Sequence, residues 1–284
     1  MNDEVISFFS TLEQRPLLRL AILVSGLVFF WLLEGVIPLK NNTYIKNKWR
    51  HAGVNFVFTV LHLIIHTAIA IAIVLLSDWC KAQQFGIVYW ASAGIGLTIV
   101  VSVLALDFSS WLVHLVMHKV SVLWFFHLIH HSDTNVDATT GLRHHPGDSI
   151  LRGIFFIIFI FISGAPIYAV MIFQTLAVIS TAFTHANIRL PVKVDNLLSY
   201  FIISPNMHKV HHHYKQPYTD SNYGSIFSIW DRLLGTHKHL PIEDVHYGID
   251  RYYPKEEEDN LPLLFKRPFM PKDSFTEKDD SVNL

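Results

Sequence analysis

The chain has 284 residues, of which 51 % are hydrophobic and 16 % are charged, and its mean hydropathy is +0.34. A soluble domain of this length carries more charge, so this composition predicts a protein of the lipid bilayer. The formal net charge of −1 argues against nucleic acid as a partner, and the single cysteine, Cys80, excludes an internal disulfide framework and a cysteine-rich zinc module. Any metal must therefore be bound through nitrogen or oxygen.

Three apolar stretches in the first part of the chain are candidates for membrane-spanning helices. The first covers residues 17–39, but Arg19 and Glu34 limit its uncharged part, so it can span only if both charges reach the interfaces. The second and third, residues 51–77 and 82–106, contain no Asp, Glu, Lys or Arg and are long enough to cross. The acidic segment before the first stretch lacks the basic region of a cleavable signal, so we expect it to be retained.

The fourth apolar stretch is too long for a single span. As one helix, the uncharged residues 153–188 would reach roughly 54 Å, almost twice the thickness of the hydrocarbon core. Gly164, Ala165 and Pro166 interrupt this stretch. We therefore predict a helical hairpin that bends at these three residues.

The connection between the first two stretches carries a cluster of basic residues, which are Lys40, Lys46, Lys48 and Arg50. The positive-inside rule places this connection in the cytoplasm, so the third stretch returns to the cytoplasmic face near His114, and the hairpin leaves that face and comes back. The predicted fold class is an all-α integral membrane protein with four to five transmembrane helices, including the hairpin, and a cytoplasmic helical cap. We expect a single integral-membrane domain over residues 1–250 and a polar tail over residues 251–284.

Histidine is unusually frequent, with 18 residues, and three short clusters of it fall on the predicted cytoplasmic face. Residues 127–131 read HLIHH and residues 208–212 read HKVHH, a spacing that puts three imidazoles on one face of a helix. Residues 114–118 read HLVMH and add a pair about one helical turn apart. His145 in RHHPGD and His185 in FTHAN are further candidates for the same metal-binding role.

The number of clustered imidazoles predicts two metal ions. Eight to ten imidazoles exceed the three or four protein ligands of one zinc ion, whereas two ions with four or five ligands each fit the count. Imidazole alone does not select among zinc, copper, iron and nickel. Adjacent histidines compete for the same role, and we favour His145 over His144 and the pair His211 and His212 over His213.

Two other kinds of protein remain compatible with clustered histidines. A metal carrier would string its ligands through the depth of the membrane, whereas only His62 and His66 lie well inside a predicted span, where we interpret them as ordinary packing residues. A zinc-dependent hydrolase of membrane lipids would need fewer ligands and no electron donor.

The three histidine clusters, in this order and on this membrane layout, resemble the histidine boxes of the fatty acid hydroxylase and sterol desaturase superfamily. The segment RHHPGD, the pair His185 and Asn187, and NYGSIFSIWDRLLGT at residues 222–236 are also similar to recurring segments of that superfamily. The resemblance covers roughly residues 50–240. Leu115 is a departure, because the first box usually has Arg after its first histidine; it bears on substrate selection more than on the metal site.

The resemblance implies an integral-membrane, non-haem di-iron oxygenase that uses O2 to hydroxylate or desaturate a membrane lipid, a fatty acyl chain or a sterol-like substrate. It implies a set of iron ligands, which are His114, His118, His127, His130, His131, His145, His185, His208, His211 and His212. We expect Asp107, Asn187 and Asp231 to support these ligands. Asp107 lies two helical turns before the first box, where its carboxylate could accept the second ring N–H of a ligand.

Electrons must be supplied by another protein, because the sequence contains no Gly-x-Gly-x-x-Gly turn for a nicotinamide or flavin and no cysteine cluster for an iron–sulfur centre. The implied partner is a ferredoxin, a rubredoxin or a cytochrome b5 that docks on the cytoplasmic face. We expect the protein in a bacterial cytoplasmic membrane rather than in the endoplasmic reticulum. The identity of the substrate and the choice between hydroxylation and desaturation stay open.

Overall fold

The computed structural model describes residues 7–9, 11, 15–40, 48–250 and 259–270, and within these ranges the chain is helical, with no β-strand beyond isolated bridges. The helices are α1 (Pro16–Val36), α2 (Lys48–Gln83), α3 (Ile87–Trp90), α4 (Ile95–Lys119), α5 (Ser121–His131), α6 (Pro146–Ser163), α7 (Ile167–His185), α8 (Val192–Ser199), α9 (Pro205–His211), α10 (Ile229–Leu233) and α11 (Leu261–Lys266). Short 3-10 turns occupy Thr140–Leu142, Ile242–Asp244 and Arg267–Phe269.

Four segments of the described chain are long and apolar enough to cross a membrane, and they are Lys48–Trp90, Ile95–Lys119, Pro146–Ser163 and Ile167–His185. Helix α1 adds a shorter apolar segment, Leu20–Val36. The outer side of α2 suits lipid rather than water, because it exposes large apolar side chains: Ile64 by 62 %, Ile71 by 64 % and Leu75 by 65 %. The prediction of an all-α membrane protein with four to five apolar helices is confirmed.

Two helix boundaries differ from the sequence-based expectation. Helix α2 has 36 residues and therefore extends about 54 Å, so one end of it projects beyond the hydrocarbon core. The third span begins at Ile95 rather than near residue 82, because the chain turns at Gly86, where φ is 109°. A side chain at Gly86 would collide with the main chain of Gly164, so this turn also requires the absence of a Cβ.

The helical hairpin is confirmed at the predicted residues. Helix α6 ends at Ser163, and Gly164 follows in the left-handed region with a φ of 72°, which glycine adopts without strain. Pro166 then takes the position directly before α7, where its ring does not interrupt the helix. Helix α4 packs against both arms of this hairpin.

The core of the membrane bundle includes a segment from far along the chain. Ile226 packs in one cluster with Ile73 of α2, Leu106 of α4 and Ile160 of α6. The irregular segment around Ile226 therefore re-enters the bundle between the spans. At this depth a main-chain N–H needs a protein partner, because water is absent.

Part of the segment expected to be a polar tail is packed against the rest of the protein. Residues 259–270 contain α11, and Leu264 is fully buried in a cluster with Phe58 of α2 and Leu128 of α5. The other residues of the expected tail, 251–258 and 271–284, lie outside the described residues. The described part of this segment thus helps to hold α5, which carries the second histidine box.

Candidate metal centre

Nine histidines of the described chain converge in two adjacent groups of candidate metal ligands. The first group contains His114, His118, His127, His131 and His211, and the second group contains His130, His185, His208 and His212. Within each group the ligand nitrogens lie within 4.8 Å of one another, and all nine side chains are at most 9 % exposed. The hairpin returns the chain to the end of the bundle where the second box lies, as the sequence predicts.

Each His-x-x-His-His box divides its side chains between the two groups. On α5, the first and last histidines of the box belong to the first group, and the middle one belongs to the second group. At α9 the division is reversed, because the middle histidine, His211, joins the first group, whereas His208 and His212 join the second. Viewed down the helix axis, the side chain at i+3 points to one side of the side chain at i, and the side chain at i+4 points to the other side. One helix can therefore supply ligands to both groups.

The outer ring nitrogens of five histidines are held by protein oxygen atoms. Three Nδ1 atoms donate to main-chain carbonyls: His114 to Tyr223 at 2.9 Å, His185 to Thr181 at 2.8 Å, and His211 to Ser221 at 2.7 Å. Two Nδ1 atoms face carboxylates: His127 with Asp148 at 2.7 Å and His118 with Asp220 at 3.3 Å. Because a carbonyl can only accept, Nδ1 of the first three rings carries the proton and Nε2 presents its lone pair.

The inner ring nitrogens face one another at distances that suit metal ligands. Nε2 of His114 lies 2.9 Å from Nε2 of His127, and Nε2 of His185 lies 3.0 Å from Nε2 of His208. Nδ1 of both His114 and His127 faces an oxygen acceptor, so their Nε2 lone pairs at 2.9 Å repel, whereas neighbouring ligands on one ion with bonds of about 2.1 Å lie at about this spacing. Nε2 of His211 is buried and has no hydrogen-bond partner among the described residues. The two groups therefore fit two metal ions.

Burial keeps these imidazoles neutral, which is the form that binds a metal. It lowers the pKa of His127 to about 3. It also holds the pKa of each remaining box histidine outside the spans well below the ordinary range: His130, His131, His208, His211 and His212. The ligand set is thus ready to bind a cation without first losing protons from its rings.

The region that contains all nine histidines has a family match. Residues 99–236 match the family model described as fatty acid hydroxylase. This part of the chain, just under half of its length, is therefore similar to the fatty acid hydroxylase family. The match also covers the re-entrant segment and the connection that contains RHHPGD.

Similar curated proteins have names from lipid metabolism. An alkylglycerol monooxygenase of Xenopus tropicalis is 31 % identical over 150 residues, which cover 51 % of this chain and 31 % of that protein. An ornithine lipid hydroxylase of Rhizobium tropici is 26 % identical over 143 residues, or 50 % of this chain and 42 % of that protein. A very-long-chain aldehyde decarbonylase of Oryza sativa subsp. indica is 31 % identical over 146 residues, which cover 48 % of this chain and 53 % of that protein. The chain spans about a third to a half of the length of these relatives, and no solved structure matches it.

Asp107, which we expected to orient a ligand histidine, has other partners in the structure. Its carboxylate accepts the main-chain N–H of Ile226 at 2.9 Å and of Phe227 at 3.2 Å, and the indole N–H of Trp230 at 2.8 Å. These donors belong to the re-entrant segment, where unsatisfied N–H groups would be costly. Asp107 therefore anchors that segment in the bundle and does not contact a ring nitrogen of His114.

Asp231 and Asn187, the other two residues expected to support ligands, also bind main chain. Asp231 accepts the N–H of Tyr223 at 2.9 Å, and the main-chain carbonyl of Tyr223 accepts the Nδ1–H of His114. The Asn187 side chain bonds the main-chain N–H and carbonyl of Lys40. Asp231 thus supports a ligand at one remove, through the peptide that it fixes.

The structure places His144, rather than the favoured His145, beside the two groups. His144 stacks on His130 with ring centroids 4.8 Å apart, and its Nδ1 lies 3.4 Å from Asp148. His145 instead caps the start of α6, where its Nδ1 accepts the N–H of Gly147. The two histidines face different directions because they lie on either side of the turn into α6.

The remaining histidines that the sequence analysis considered lie outside both groups. His213 accepts the main-chain N–H of His246, whereas its two predecessors belong to the groups. His62 and His66 stack on each other along α2 with centroids 4.0 Å apart, and His62 also bonds the Ser149 hydroxyl.

Sequence reasoning missed two carboxylates that touch the first group. Asp148 is fully buried; besides His127 it binds Nε of Arg152 at 2.6 Å, and with His127 and His144 it forms a further set of close ligand atoms. Asp148 closes the RHHPGD segment, so its place in that motif was the available signal. Asp220 lies in a connection after the third box, and no spacing rule links it to His118.

A cleft of about 230 Å³ opens beside the first group. Its walls include His118 and Asp220 together with Ser121, Tyr214 and Gln216. Trp124, Phe125 and Ile249 add apolar surface, but most of the lining side chains are polar. It leads solvent toward the carboxylate that holds the outer nitrogen of His118.

Proposed function

We propose that this protein hydroxylates the alkyl chain of a membrane lipid with O2, at a pair of iron ions bound by the two histidine groups. The observation that carries the proposal is the convergence of nine buried imidazoles in two adjacent groups. The family match, and relatives named as a monooxygenase and a hydroxylase, support a lipid oxygenase. Since imidazole alone does not select the metal, the choice of iron rests on the family.

The protein holds and orients the ligands of the proposed centre. Iron bound there supplies what no side chain can, which is the activation of O2 and the removal of hydrogen from an unactivated C–H bond. The carbonyls that hold Nδ1 protons present the Nε2 lone pairs, and the Asp148 carboxylate makes His127 a stronger donor. Burial of the nine rings limits the contact of bulk water with the ligands to the cleft beside His118.

The proposed substrate class follows from the position of the two groups. They lie at the ends of apolar helices whose outer sides suit lipid, so an alkyl chain can approach without leaving the bilayer. The relatives' names refer to an alkylglycerol, an ornithine lipid and a very-long-chain aldehyde, which all carry long alkyl chains. We infer a lipid with a long alkyl chain, and we place the centre at the cytoplasmic face of the membrane because the connection before α2 is basic.

Hydroxylation by O2 also needs electrons and protons, because the second oxygen atom leaves as water. We propose that a ferredoxin, a rubredoxin or a cytochrome b5 supplies the electrons from the cytoplasmic side. The polar cleft beside His118 and Asp220 offers protons a route from solvent to the first group.

Metal content per chain is the first test of this function. Full-length protein from iron-replete cells is purified in detergent and compared with the His130→Ala/His211→Ala variant, which removes one ligand from each group. We expect two irons per chain in the wild type and the loss of both in the variant. The matched control is His213→Ala, which lies outside both groups and should keep both ions. Zinc without iron, or metal retained by the double variant, would contradict the proposal.

Isotope labelling tests the reaction itself. The loaded protein in vesicles of native lipid extract receives a chemical or protein reductant under ¹⁸O2, and the lipids are then analysed by mass spectrometry. We expect one ¹⁸O atom from O2 in a lipid hydroxyl group. A lipid hydrolase would take its oxygen from water, and a desaturase would remove two hydrogens without adding oxygen, so either pattern would replace the proposed reaction.

A further inference from the structure

A buried carboxylate from outside the family-matched residues contacts the segments around the second histidine group. Glu34 lies near the end of α1 and is 4 % exposed. Its Oε1 atom accepts two main-chain N–H groups, from Ala138 at 2.6 Å and from Asn187 at 2.9 Å. Lys48 lies close to the other oxygen, with Nζ 3.7 Å from Oε2. A carboxylate is costly to bury unless it is paired and hydrogen-bonded, and here these bonds join distant segments.

The segment directly after α7 is held from several directions. The N–H of Leu39 donates to the carbonyl of Asn187 at 3.0 Å, and the Asn187 side chain donates to the carbonyl of Lys40 at 2.9 Å. From the other side, the buried Lys209 of the third box donates to the carbonyl of Ala186 at 2.6 Å. Glu34 thus acts on a stretch of main chain that is already clamped between the end of α1 and the third box.

His185 is the ligand that this stretch positions. It ends α7, two residues before Asn187. Its Nε2 lies close to Nε2 of every other member of the second group: His130 at 3.2 Å, His208 at 3.0 Å and His212 at 3.3 Å. A shift of Asn187 would therefore disturb three ligand contacts at once, whereas no ligand of the first group belongs to this stretch.

We propose that Glu34 is a positioning residue for the second metal ion, because the N–H groups that its carboxylate binds fix the main chain behind His185. This inference rests on the proposed metal pair. Ala138 lies in the connection between the second box and α6, so one oxygen atom joins that connection to the end of α7. Helix α1 is then a support of the metal centre as well as an apolar helix.

Two substitutions separate the hydrogen bonds of Glu34 from its charge. Glu34→Gln keeps an Oε1 acceptor for both N–H groups, whereas Glu34→Ala removes it. Iron per chain is measured in full-length protein purified in detergent. We expect two irons in the wild type and in the Gln variant, and one iron in the Ala variant. Two irons in the Ala variant would overturn the proposal.

Combinations with ligand variants identify which ion is lost. His208→Ala removes a ligand of the second group, and His118→Ala removes a ligand of the first. We expect Glu34→Ala/His208→Ala to keep one iron, because both changes act on the same ion, and Glu34→Ala/His118→Ala to keep none. Equal loss from both groups in Glu34→Ala would assign a general structural role to this residue and would also overturn the proposal.

Hydrogen exchange gives a readout that does not depend on metal. The amides of Ala138 and Asn187 should exchange faster in Glu34→Ala and at the wild-type rate in Glu34→Gln. Glu34→Asp, whose carboxylate is one methylene shorter, takes the place of the Ala variant if that variant does not fold, and faster exchange is again expected. Unchanged exchange would contradict the proposal. Fewer than two irons in the wild type, with this exchange pattern present, would contradict the proposed function and still support the contact of Glu34 with the main chain behind His185.

Discussion

The two histidine groups use the same side chain, but the protein holds their outer nitrogens differently. In the first group, four rings have Nδ1 bound by an oxygen atom: His114, His118, His127 and His211. In the second group only His185 is held in this way, while Nδ1 of three rings has no partner among the described residues: His130, His208 and His212. The groups therefore differ in their surroundings more than in their ligands.

This difference predicts unequal metal affinities. Ligands that are oriented before the ion arrives lose less freedom on binding, and a carboxylate on the outer nitrogen makes the ring a stronger donor. Both carboxylates, Asp148 and Asp220, contact rings of the first group. We expect the first group to bind its ion more tightly, and the second to depend on main-chain supports such as that behind His185.

Asp148→Asn should reduce the difference in metal affinity between the two groups more than any other substitution considered below. The Asp148 side chain is fully buried, and the loss of its charge makes His127 a weaker donor. The affinity of the first group should fall by about 10–100-fold, with the second group unchanged. A competition titration with a chelator measures both affinities. Asp107→Asn is the matched control, since Asp107 is equally buried but binds the re-entrant segment; it should lower thermal stability and leave both affinities unchanged. Loss of the ion of the second group in Asp148→Asn would contradict the claim that Asp148 supports only the first group.

Chelation of the wild-type protein should show two phases. Because the second group has fewer held rings, we expect its ion to leave first, with an affinity about tenfold or more below that of the first. Iron per chain is followed against chelator concentration in wild type and in His208→Ala. The weaker phase should be absent from the variant, whereas a single phase in the wild type would show that the outer-nitrogen contacts do not set affinity.

Asp220→Ala should have a smaller effect than the change at Asp148. The contact between Asp220 and His118 is longer, at 3.3 Å, and the Asp220 side chain is partly exposed, so water can replace it. We expect the affinity of the first group to fall several-fold in the same titration. Lys119→Ala removes the charged partner of Asp220 at the surface, where Gln216 also donates to Asp220, and it should leave the affinity unchanged. An equal effect of both variants would attribute the result to the surface ion pair.

His145→Ala should have the smallest effect on metal. His145 caps α6 and contacts neither group, so we expect both irons to remain and the free energy of unfolding to fall by about 1 kcal/mol from the lost cap. Metal analysis and denaturant unfolding measure the two quantities. Loss of an ion would instead make His145 a ligand, as the sequence suggested, and would add a member to one group.

The choice of ligands shows how far sequence reasoning reached. Helical spacing placed all six histidines of the two His-x-x-His-His boxes in the groups, because residues three and four apart share a helix face. The same argument placed Asp107 on the face of His114, but the donors that reached its carboxylate come from the re-entrant segment far along the chain. The preference for His145 over His144 does not match the geometry, since only the direction of the turn into α6 decides which ring faces the groups.

By itself, the sequence determined the membrane class, the hairpin at Gly164 and the expectation of two ions, because composition, length and periodicity are properties of short segments. The tertiary structure alone decided how each box divides between the groups, which carbonyls and carboxylates hold the outer nitrogens, and where Glu34 contacts the main chain behind His185. These contacts join residues that are far apart in the chain. Their separation has no fixed period, so no local pattern can predict them.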